Sequence, residues 1–336
     1  MPLEIVTEII SILFVAILID ILLGEPPNRI HPVVMIGRII NLFTKMIKNA
    51  SRYRKEKRKD KDNFEKVMGS ILALGLTATV SLVVYYVSMQ SLFLLGTIFF
   101  VIVSATLLKT TFSIRAMDHH IKEILVELDR NNLDRARRNL SKIVSRDTQN
   151  LSEARIISAC IECVAESFVD GILSPLFYYG LLSVPGSMMY RTINTLDSMI
   201  GYKDEYHNKV GWMSAKLDTI INAIPARLSP VFLIFSMMVS GQDWKNAIKI
   251  CKRDYQNTES FNAGVPMSIM AGGLNIQLEK IDHYKLGDMK EQLTIQKCKT
   301  SIKITKIATL IFIFSFLIPI IMILNYFDWW TILFGI

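Results

Sequence analysis

The chain has few of the residues that stabilise or solubilise small globular proteins. Only four of its 336 residues are cysteine, charged residues make up 20% of the chain, and hydrophobic residues make up 51%. So few cysteines exclude a disulfide-dense scaffold, and the apolar composition excludes a disordered or collagen-like chain. The chain also has no Walker A loop and no Rossmann glycine fingerprint.

Long stretches contain no charged residue at all. Residues 67–108 are 42 uncharged residues, about 60 Å as a helix and enough for two crossings of a hydrocarbon layer roughly 30 Å thick. Ser88, Gln90 and Ser91 mark the predicted turn between these crossings. The predicted spans are residues 3–23, 68–88, 90–108 and 304–325. The sequence therefore predicts an all-α, polytopic integral membrane protein forming one membrane domain over residues 1–336.

Two apolar segments, 171–190 and 226–241, do not read as simple spans. The first contains Pro175 and Pro185 among several glycines, and the second is short for a crossing. Broken apolar segments of this kind are typical of re-entrant or interfacial elements that line a cavity. An ordinary crossing with a kink is the alternative interpretation.

The positive charge is concentrated in one segment. Residues 45–66 hold ten lysines and arginines against four acidic residues, which is typical of a cytoplasmic loop and not of a nucleic-acid-binding face. We therefore expect no nucleic-acid partner, an N-terminus outside, and cytoplasmic segments 24–66, 109–227 and 243–303. Leucine and alanine recur at helical spacing after residue 109, and Asn131-Asn132 predicts the turn of a helical hairpin.

Three carboxylates follow this hairpin at a spacing of four residues. Glu162, Glu166 and Asp170 would form one stripe on a helix running from about residue 150 to residue 169, which Asp147 can cap. Such a stripe indicates either a site for a cation or a metal-bound phosphate, or a solvated face neutralised by basic neighbours. The residues alone leave both interpretations open.

Other polar residues cluster where the apolar segments end. Residues 190–203 and 218–227 resemble ligand-contacting loops, and Arg227, which directly precedes an apolar stretch, needs an anionic partner such as phosphate. Glycines near residues 264 and 272 predict a further turn. His31, followed by proline, is expected on an extended loop at the membrane surface.

These stretches, in this order, resemble the CobD/CbiB family of membrane proteins of cobalamin biosynthesis. The most specific strings are Asn194-Thr195-Leu196-Asp197-Ser198-Met199 and Ile224-Pro225-Ala226-Arg227. Further matches are Gly24-Glu25-Pro26 and Ile143-Val144-Ser145-Arg146-Asp147-Thr148. His31-Pro32-Val33 and Asn262-Ala263-Gly264 also match but are weak by themselves. The chain departs from the usual family pattern at Ser167, Thr219, Phe261 and Met267, which argues against catalytic roles at these positions.

The resemblance implies an adenosylcobinamide-phosphate synthase, an ATP-dependent ligase of the cell membrane. It would join a propionate carboxyl of adenosylcobyric acid to aminopropanol or its phosphate, with ATP and Mg²⁺ and no tightly bound prosthetic group, on the cytoplasmic side. Other membrane enzymes of the pathway are possible partners beside the lipid bilayer.

The resemblance also covers Glu162 to Pro175, the residues up to Tyr202, and Ala215 to Asp218. Within the implied reaction, these stretches and the adjacent Lys203 provide the candidate residues. The catalytic candidates are Asp170, Asp197, Asp218 and His31. The substrate-binding candidates are Asn194, Thr195, Lys203, Arg227 and Asn262. The metal candidates are Glu166 and Asp170.

Two other classes of function remain open from the residues. A transporter with discontinuous helices and a midplane site fits the broken apolar segments, although the charges flank the apolar runs instead of lying within them. A membrane scaffold that holds other corrinoid enzymes is the second alternative.

Overall fold

The computed structural model describes residues 2–53 and 58–334, and residues 54–57 of the basic segment lie outside this part. The structure is 77% helical with only one short hairpin of strands among the described residues, which confirms the predicted all-α class. The first α-helices are α1 (Pro2–Leu22), α2 (Pro32–Tyr53), α3 (Arg58–Leu95), α4 (Thr97–Lys109), α5 (Ile114–Asp129), α6 (Leu133–Leu140), α7 (Glu153–Phe168) and α8 (Ser174–Ile200). They are followed by α9 (Trp212–Ile221), α10 (Ala223–Val239), α11 (Trp244–Asp254), α12 (Phe261–Gly273), α13 (Ile295–Phe312), α14 (Ile318–Tyr326) and α15 (Trp329–Phe334). Short π-helical turns occupy Val169–Leu173 and Ile313–Leu317, and strands β1 (Leu278–Lys280) and β2 (Tyr284–Leu286) form an antiparallel hairpin.

Four helices in the described residues are long and apolar enough to cross a membrane. They are Glu4–Leu22, Arg58–Leu95, Thr97–Asp129 and Ile295–Tyr326. They overlap the four spans predicted from the sequence and support a membrane protein, although the predicted span 90–108 is divided between α3 and α4. Their apolar outer surface fits this environment, because side chains such as Leu82 and Phe93 are exposed.

The turn predicted at residues 88–91 is wrong. Helix α3 continues through this stretch to Leu95, and the break comes at Gly96, whose φ is +82°. The Ser91 hydroxyl donates to the Ser88 carbonyl at 2.6 Å, so a polar side chain here is satisfied by its own helix and does not interrupt it. Glycine adopts the left-handed backbone at little cost, which explains the break at Gly96.

The first ambiguous segment forms an interrupted helix, and the second, which lies mostly in α10, follows a bend at residue 222. Helix α8 covers most of the first segment and is interrupted at Ser183, whose φ is +56°, two residues before Pro185. Helices α9 and α10 meet at an angle of 41°, as a broken span or a re-entrant loop does. The re-entrant or interfacial interpretation therefore stays a prediction.

The chain divides into two compact units. The first contains residues up to Phe112, Pro175–Ile221 and the residues from Ile318 onward. Within it, α1 packs against α4 and α14, while α3 packs against α2, α4 and α9. The backbone of α3 at Gly69 lies so close to the Val210 carbonyl group that a Cβ atom on Gly69 would clash with it.

The second unit contains Ser113–Ser174 and Asn222–Leu317. Helix α7 packs against α5, α6, α12, α13 and β1, so it carries much of this unit's core. The helical hairpin predicted around Asn131-Asn132 is confirmed as α5 and α6, with Asn131 in the left-handed region at φ +57°.

Two local predictions in this unit are wrong. Asp147 does not cap α7, which begins at Glu153, because its carboxylate accepts the Gln149 N–H at 3.0 Å in a local turn. The glycines near residues 264 and 272 lie inside α12 and form no turn. A Cβ atom on Gly272 would lie 2.8 Å from the Ala247 Cα, so this glycine lets α12 pack tightly against α11.

Candidate functional site

A pair of carboxylates in the first unit joins the two most polar stretches predicted from the sequence. Asp197 lies near the end of α8 and Asp218 lies on α9. The Asn194 side-chain amide donates to Asp218 Oδ1 at 3.4 Å, which ties one turn of α8 to α9. The structure therefore brings together three residues that the sequence separates by up to 24 positions, and we call Asp197 and Asp218 the carboxylate pair.

Gly201 shapes the position of the Asp197 carboxylate. A Cβ atom on Gly201 would clash with Asp197 Oδ1, and the Gly201 N–H donates to the Asp197 carbonyl oxygen at 2.7 Å. Helix α8 ends at Ile200, and the following loop returns to it at Gly211. The two backbones are so close there that a Cβ atom on Gly211 would clash with the Ile200 carbonyl. Glycine at 201 is thus required by the space that the carboxylate occupies.

The two negative charges of the pair influence each other. Burial, together with the charge of Asp218, raises the pKa of Asp197 to about 7 from an ordinary value of 3.8. A carboxylate with such a pKa exists in both protonation states near neutral pH and can accept or release a proton there. The pair therefore has the electrostatic properties of an acid–base site.

The residues near the carboxylate pair differ in their exposure and in their hydrogen bonds. Arg191, which the sequence reading did not single out, donates through Nη1 to Asn194 Oδ1 at 3.3 Å and continues the polar chain toward Asp218. Thr195 is buried, and its hydroxyl donates to the Arg191 carbonyl at 2.7 Å. Lys203 is exposed on the loop after α8. Substrate-binding roles for Asn194, Thr195 and Lys203 stay predictions.

His31 directly precedes α2 and belongs to an ionic cluster of the same unit. The Val33 N–H donates to His31 Nδ1 at 3.2 Å, so Nδ1 carries no hydrogen and the side chain caps the first turn of α2. The other ring nitrogen, Nε2, lies 3.0 Å from Glu25 Oε2 and donates to it. Both nitrogens are therefore engaged, and an acid–base role for His31, which stays a prediction, requires one of these bonds to open.

Lys109 holds this cluster together at the end of α4. Its ammonium group lies 2.9 Å from Asp20 Oδ1 and 2.8 Å from Glu25 Oε1, and both Lys109 and Asp20 are fully buried. Burial alone would raise the pKa of Glu25, but the hydrogen bonds from His31 and Lys109 hold it below its usual value. Neither Asp20 nor Lys109 was singled out from the sequence. The available signal was that both lie at the ends of apolar stretches, where charged residues near a membrane pair with one another.

Glu162 is the most buried of the three predicted stripe carboxylates, Glu162, Glu166 and Asp170, which lie in the second unit. Glu162 is 1% exposed and forms an ion pair with Arg146. The Tyr284 hydroxyl donates to Glu162 Oε2 at 2.8 Å, and the Ser158 hydroxyl donates to Glu162 Oε1 at 2.8 Å. Glu162 therefore does not lie on a solvated face, because residues distant in the sequence surround it.

Glu166, one turn further along α7, is half-buried between charges of both signs. Desolvation and the charge of Glu162 raise its pKa to about 7, while Arg146 and Lys280 act in the opposite direction. Asp170 lies beyond the end of α7 in the π-helical turn. The regular spacing of the stripe therefore ends at Glu166, because a π turn is wider than an α turn.

The donor set of Glu166 and Asp170 fits Mg²⁺ by its chemistry. Mg²⁺ in nucleotide sites is held by one or two carboxylates together with phosphate oxygens and water. Burial disfavours ionised Glu166, and a bound cation would oppose this effect. Among the described residues no group of three or more His, Cys, Asp or Glu side chains could hold a metal by itself. The metal role of both residues stays a prediction.

Arg227 and Asn262 come together in the second unit. Arg227 Nη1 lies 3.5 Å from Asn262 Oδ1 and donates to the Ala223 carbonyl at 2.8 Å. Arg227 is exposed near the start of α10, and Asn262 lies in the first turn of α12. The structure thus joins two predicted substrate contacts separated by 35 positions.

The four cysteines form no metal site among the described residues. Cys160 and Cys298 are buried, and Cys163 is half-buried on α7. Burial raises the pKa of Cys163 to about 12, so its thiol stays protonated near neutral pH. Cys160 and Cys163 therefore pack as small apolar side chains on α7.

Comparisons with known proteins cover most of the chain. A family model described as CobD/Cbib protein matches residues 13–314. A probable cobalamin biosynthesis protein CobD of Thermoplasma volcanium is 40% identical over 319 residues, which are 95% of this chain and 99% of that protein. A protein of Methanothermobacter thermautotrophicus with the same name is 34% identical over 304 residues, covering 90% and 95%. The cobalamin biosynthesis protein CobD of Leptospira interrogans is 36% identical over 313 residues, covering 90% and 96%. No solved structure matches the chain.

Proposed function

We propose that the chain acts in cobalamin biosynthesis as an ATP-dependent amide ligase. The chain belongs to the CobD/CbiB protein family, as its motifs predict. The names of its relatives support the pathway, and the reaction itself is our inference. The proposed substrates are adenosylcobyric acid, which supplies a propionate carboxyl, and aminopropanol or its phosphate, which supplies the amine.

The carboxylate pair carries this proposal. An amine attacks an activated carbonyl only as a free base, and the nitrogen must lose a further proton as the amide forms. Asp197, with a pKa of about 7, is matched to accept that proton near neutral pH. Asp218 contributes by raising the pKa of Asp197, and Asn194 holds Asp218 in place.

The proposed chemistry has two steps that balance. First, an oxygen of the propionate carboxylate attacks the γ-phosphorus of ATP, which forms an acyl phosphate and releases ADP. Then the amine nitrogen attacks the acyl carbon, the C–N bond forms, and the C–O bond to phosphate breaks with release of inorganic phosphate. The proton from nitrogen goes to Asp197. A carboxylate is a poor electrophile, so activation by phosphoryl transfer is the economical route.

Mg²⁺ would be held by Glu166 and Asp170 together with phosphate oxygens, and it would offset the negative charge of the nucleotide. We assign Arg227 and Asn262 to anionic substrate groups because their side chains converge at an exposed surface. Arginine suits this role because its planar guanidinium group binds phosphate in a bidentate manner.

We propose a multi-pass protein of the cell membrane whose ligand-binding segments face the cytoplasm. The basic residues on α2 and at the start of α3 support this orientation under the positive-inside rule. In a variant without the four native cysteines, single cysteines at the exposed position 203 and at position 262 should resist an impermeant external thiol reagent and react after the membrane is permeabilised. External labelling at either position would contradict the orientation.

A transporter is the second candidate, favoured by one observation. Helix α8 is interrupted at Ser183, and α9 and α10 form a bent pair, as discontinuous helices of transporters do. Uptake of a labelled corrinoid into sealed vesicles, without any covalent product, would favour this alternative.

The experiment that tests the ligase is product analysis. Purified protein in lipid nanodiscs is incubated with adenosylcobyric acid, the amine or its phosphate, and MgATP, and the corrinoids are analysed by mass spectrometry. We expect a product whose mass equals the two substrates minus water, formed only with ATP. The Asp197→Asn variant should form it far more slowly, while Glu205→Gln, an exposed carboxylate on the following loop, should match the wild type. Absence of the product with the wild type would overturn the proposal.

A further inference from the structure

Two neighbouring cavities in the second unit share a wall at Arg146 and Asp147. The first has a volume of about 420 Å³ and is lined by Arg137, Arg138 and Thr148 beside the shared wall. The second has a volume of about 320 Å³ and is lined by Arg155 and Lys280 beside the same wall. The shared wall belongs to the loop between α6 and α7, which we call the Arg146 loop (residues 141–152).

The Arg146 loop is held in shape by its own contacts. Arg137 Nε donates to the Leu151 carbonyl at 2.9 Å, and the Thr148 hydroxyl donates to the Arg137 carbonyl at 3.1 Å. Thr148 and Leu151 are both buried. The cavity walls are therefore preformed, which lowers the entropic cost of binding a ligand there.

Arg146 is also fixed in orientation. Its guanidinium group is paired with buried Glu162, which in turn accepts hydrogen bonds from Tyr284 and Ser158. Arginine has five N–H donors, so this pairing leaves donors for the two cavities that Arg146 lines.

The charged side chains that line the two cavities leave an excess of positive charge once those that form ion pairs are set aside. Arg137 is paired with Asp134 at 3.2 Å, and Glu279 is paired with Lys285 at 3.1 Å. Over residues 2–53 and 58–334, neither Arg138 nor Arg155 makes an ion pair or a side-chain hydrogen bond. These two arginines, one in each cavity, are the unpaired cations that flank Asp147.

We infer that the paired cavities around Arg146 bind phosphate groups, and that their ligand is a nucleoside triphosphate. Arginine side chains recognise phosphate by charge and by paired hydrogen bonds. Two adjacent cationic cavities suit a polyphosphate better than a single phosphate, because one chain of phosphates can contact both. The assignment to the nucleotide rests on the proposed ATP-dependent function, and it locates the nucleotide in that reaction.

The test is equilibrium binding of radiolabelled MgATP to the full-length protein in phosphatidylcholine nanodiscs. The variants are Arg138→Glu and Arg155→Glu, one for each cavity. The matched control is Arg135→Glu, an exposed arginine of α6 that lines neither cavity. We expect each cavity variant to bind MgATP at least about tenfold more weakly, since a charge-assisted hydrogen bond is lost and a repulsive charge is added. The control should bind within twofold of the wild type.

Two further binding measurements separate the sources of phosphate. One replaces MgATP by aminopropanol phosphate, and the other uses nanodiscs that contain phosphatidylglycerol. If the cavity variants lose binding only of aminopropanol phosphate, or only their response to the anionic lipid, the nucleotide assignment is overturned.

The failure of this site is distinguishable from the failure of the proposed function. If the wild type binds MgATP and both cavity variants bind it equally well, the nucleotide site lies elsewhere and the ligase proposal stands. If the wild type binds no MgATP and forms no amide product, the ligase proposal fails together with this site.

Discussion

Asp197→Asn should increase the stability of the folded protein at alkaline pH while it lowers activity. The folded-state pKa of Asp197 is about 7, raised by burial and by Asp218, whereas an unfolded chain has the ordinary value near 3.8. Between these two values the folded state binds more protons than the unfolded state, so the free energy of unfolding falls as pH rises. Above pH 7 the full cost of the ionised carboxylate is present, and below pH 4 it is absent.

The size of this effect follows from the two pKa values. Their difference corresponds to about 4 kcal/mol. Asp197 retains some contact with solvent, which screens its charge, so we expect a gain of roughly 1–2 kcal/mol for Asp197→Asn at pH 8. Asparagine has nearly the same shape as aspartate, so the packing against Gly201 should be preserved.

Thermal unfolding in detergent at pH 8 and at pH 4 measures this effect. The midpoint of Asp197→Asn should exceed that of the wild type at pH 8, and the difference should shrink as pH falls toward 4. Glu205→Gln, which removes a fully solvated carboxylate, should show no such pH-dependent difference. A lower midpoint for Asp197→Asn at pH 8 would refute the reasoning, because it would show that ionised Asp197 stabilises the fold.

Three further substitutions test other parts of the account. Glu162→Gln should destabilise the protein by about 3–5 kcal/mol, because it leaves the partly buried Arg146 charge uncompensated; a neutral effect in thermal unfolding would contradict the network described for Glu162. Gly201→Ala should lower ligation at least about tenfold by displacing the Asp197 carboxylate; wild-type turnover would show that this close approach is relaxed without consequence. Arg227→Lys keeps the charge but loses the planar fork, so activity should fall about tenfold or more with normal membrane insertion; unchanged turnover would reduce Arg227 to a surface anchor.

The membrane helices were predictable because their signal is local. An uncharged stretch such as residues 67–108 can satisfy its backbone in lipid only by forming helices, so length and composition identify the spans. The position of the break was not predictable from polarity, because Ser91 bonds to its own helix. The better signal was Gly96, which alone in that neighbourhood adopts a positive φ without strain.

The site was predictable only in part, for a different reason. The Asn194-to-Met199 string and Asp218 were identified by motif, and the structure places them together. The role of Glu162 depends on Tyr284, which lies 122 positions away and reaches it through the β hairpin. The spacing of residues along one helix cannot predict such a contact. It therefore left a solvated position open for Glu162, which the fold buries in an ion pair with Arg146.

The most direct test of the central claim follows the oxygen of the activated carboxylate. Adenosylcobyric acid labelled with ¹⁸O in the reacting propionate is incubated with the purified protein, the amine and MgATP, and the inorganic phosphate is analysed by mass spectrometry. Ligation through an acyl phosphate predicts one ¹⁸O atom in the released phosphate for each amide formed. Amide product with no ¹⁸O in phosphate, or ATP hydrolysis with no amide product, would contradict the account.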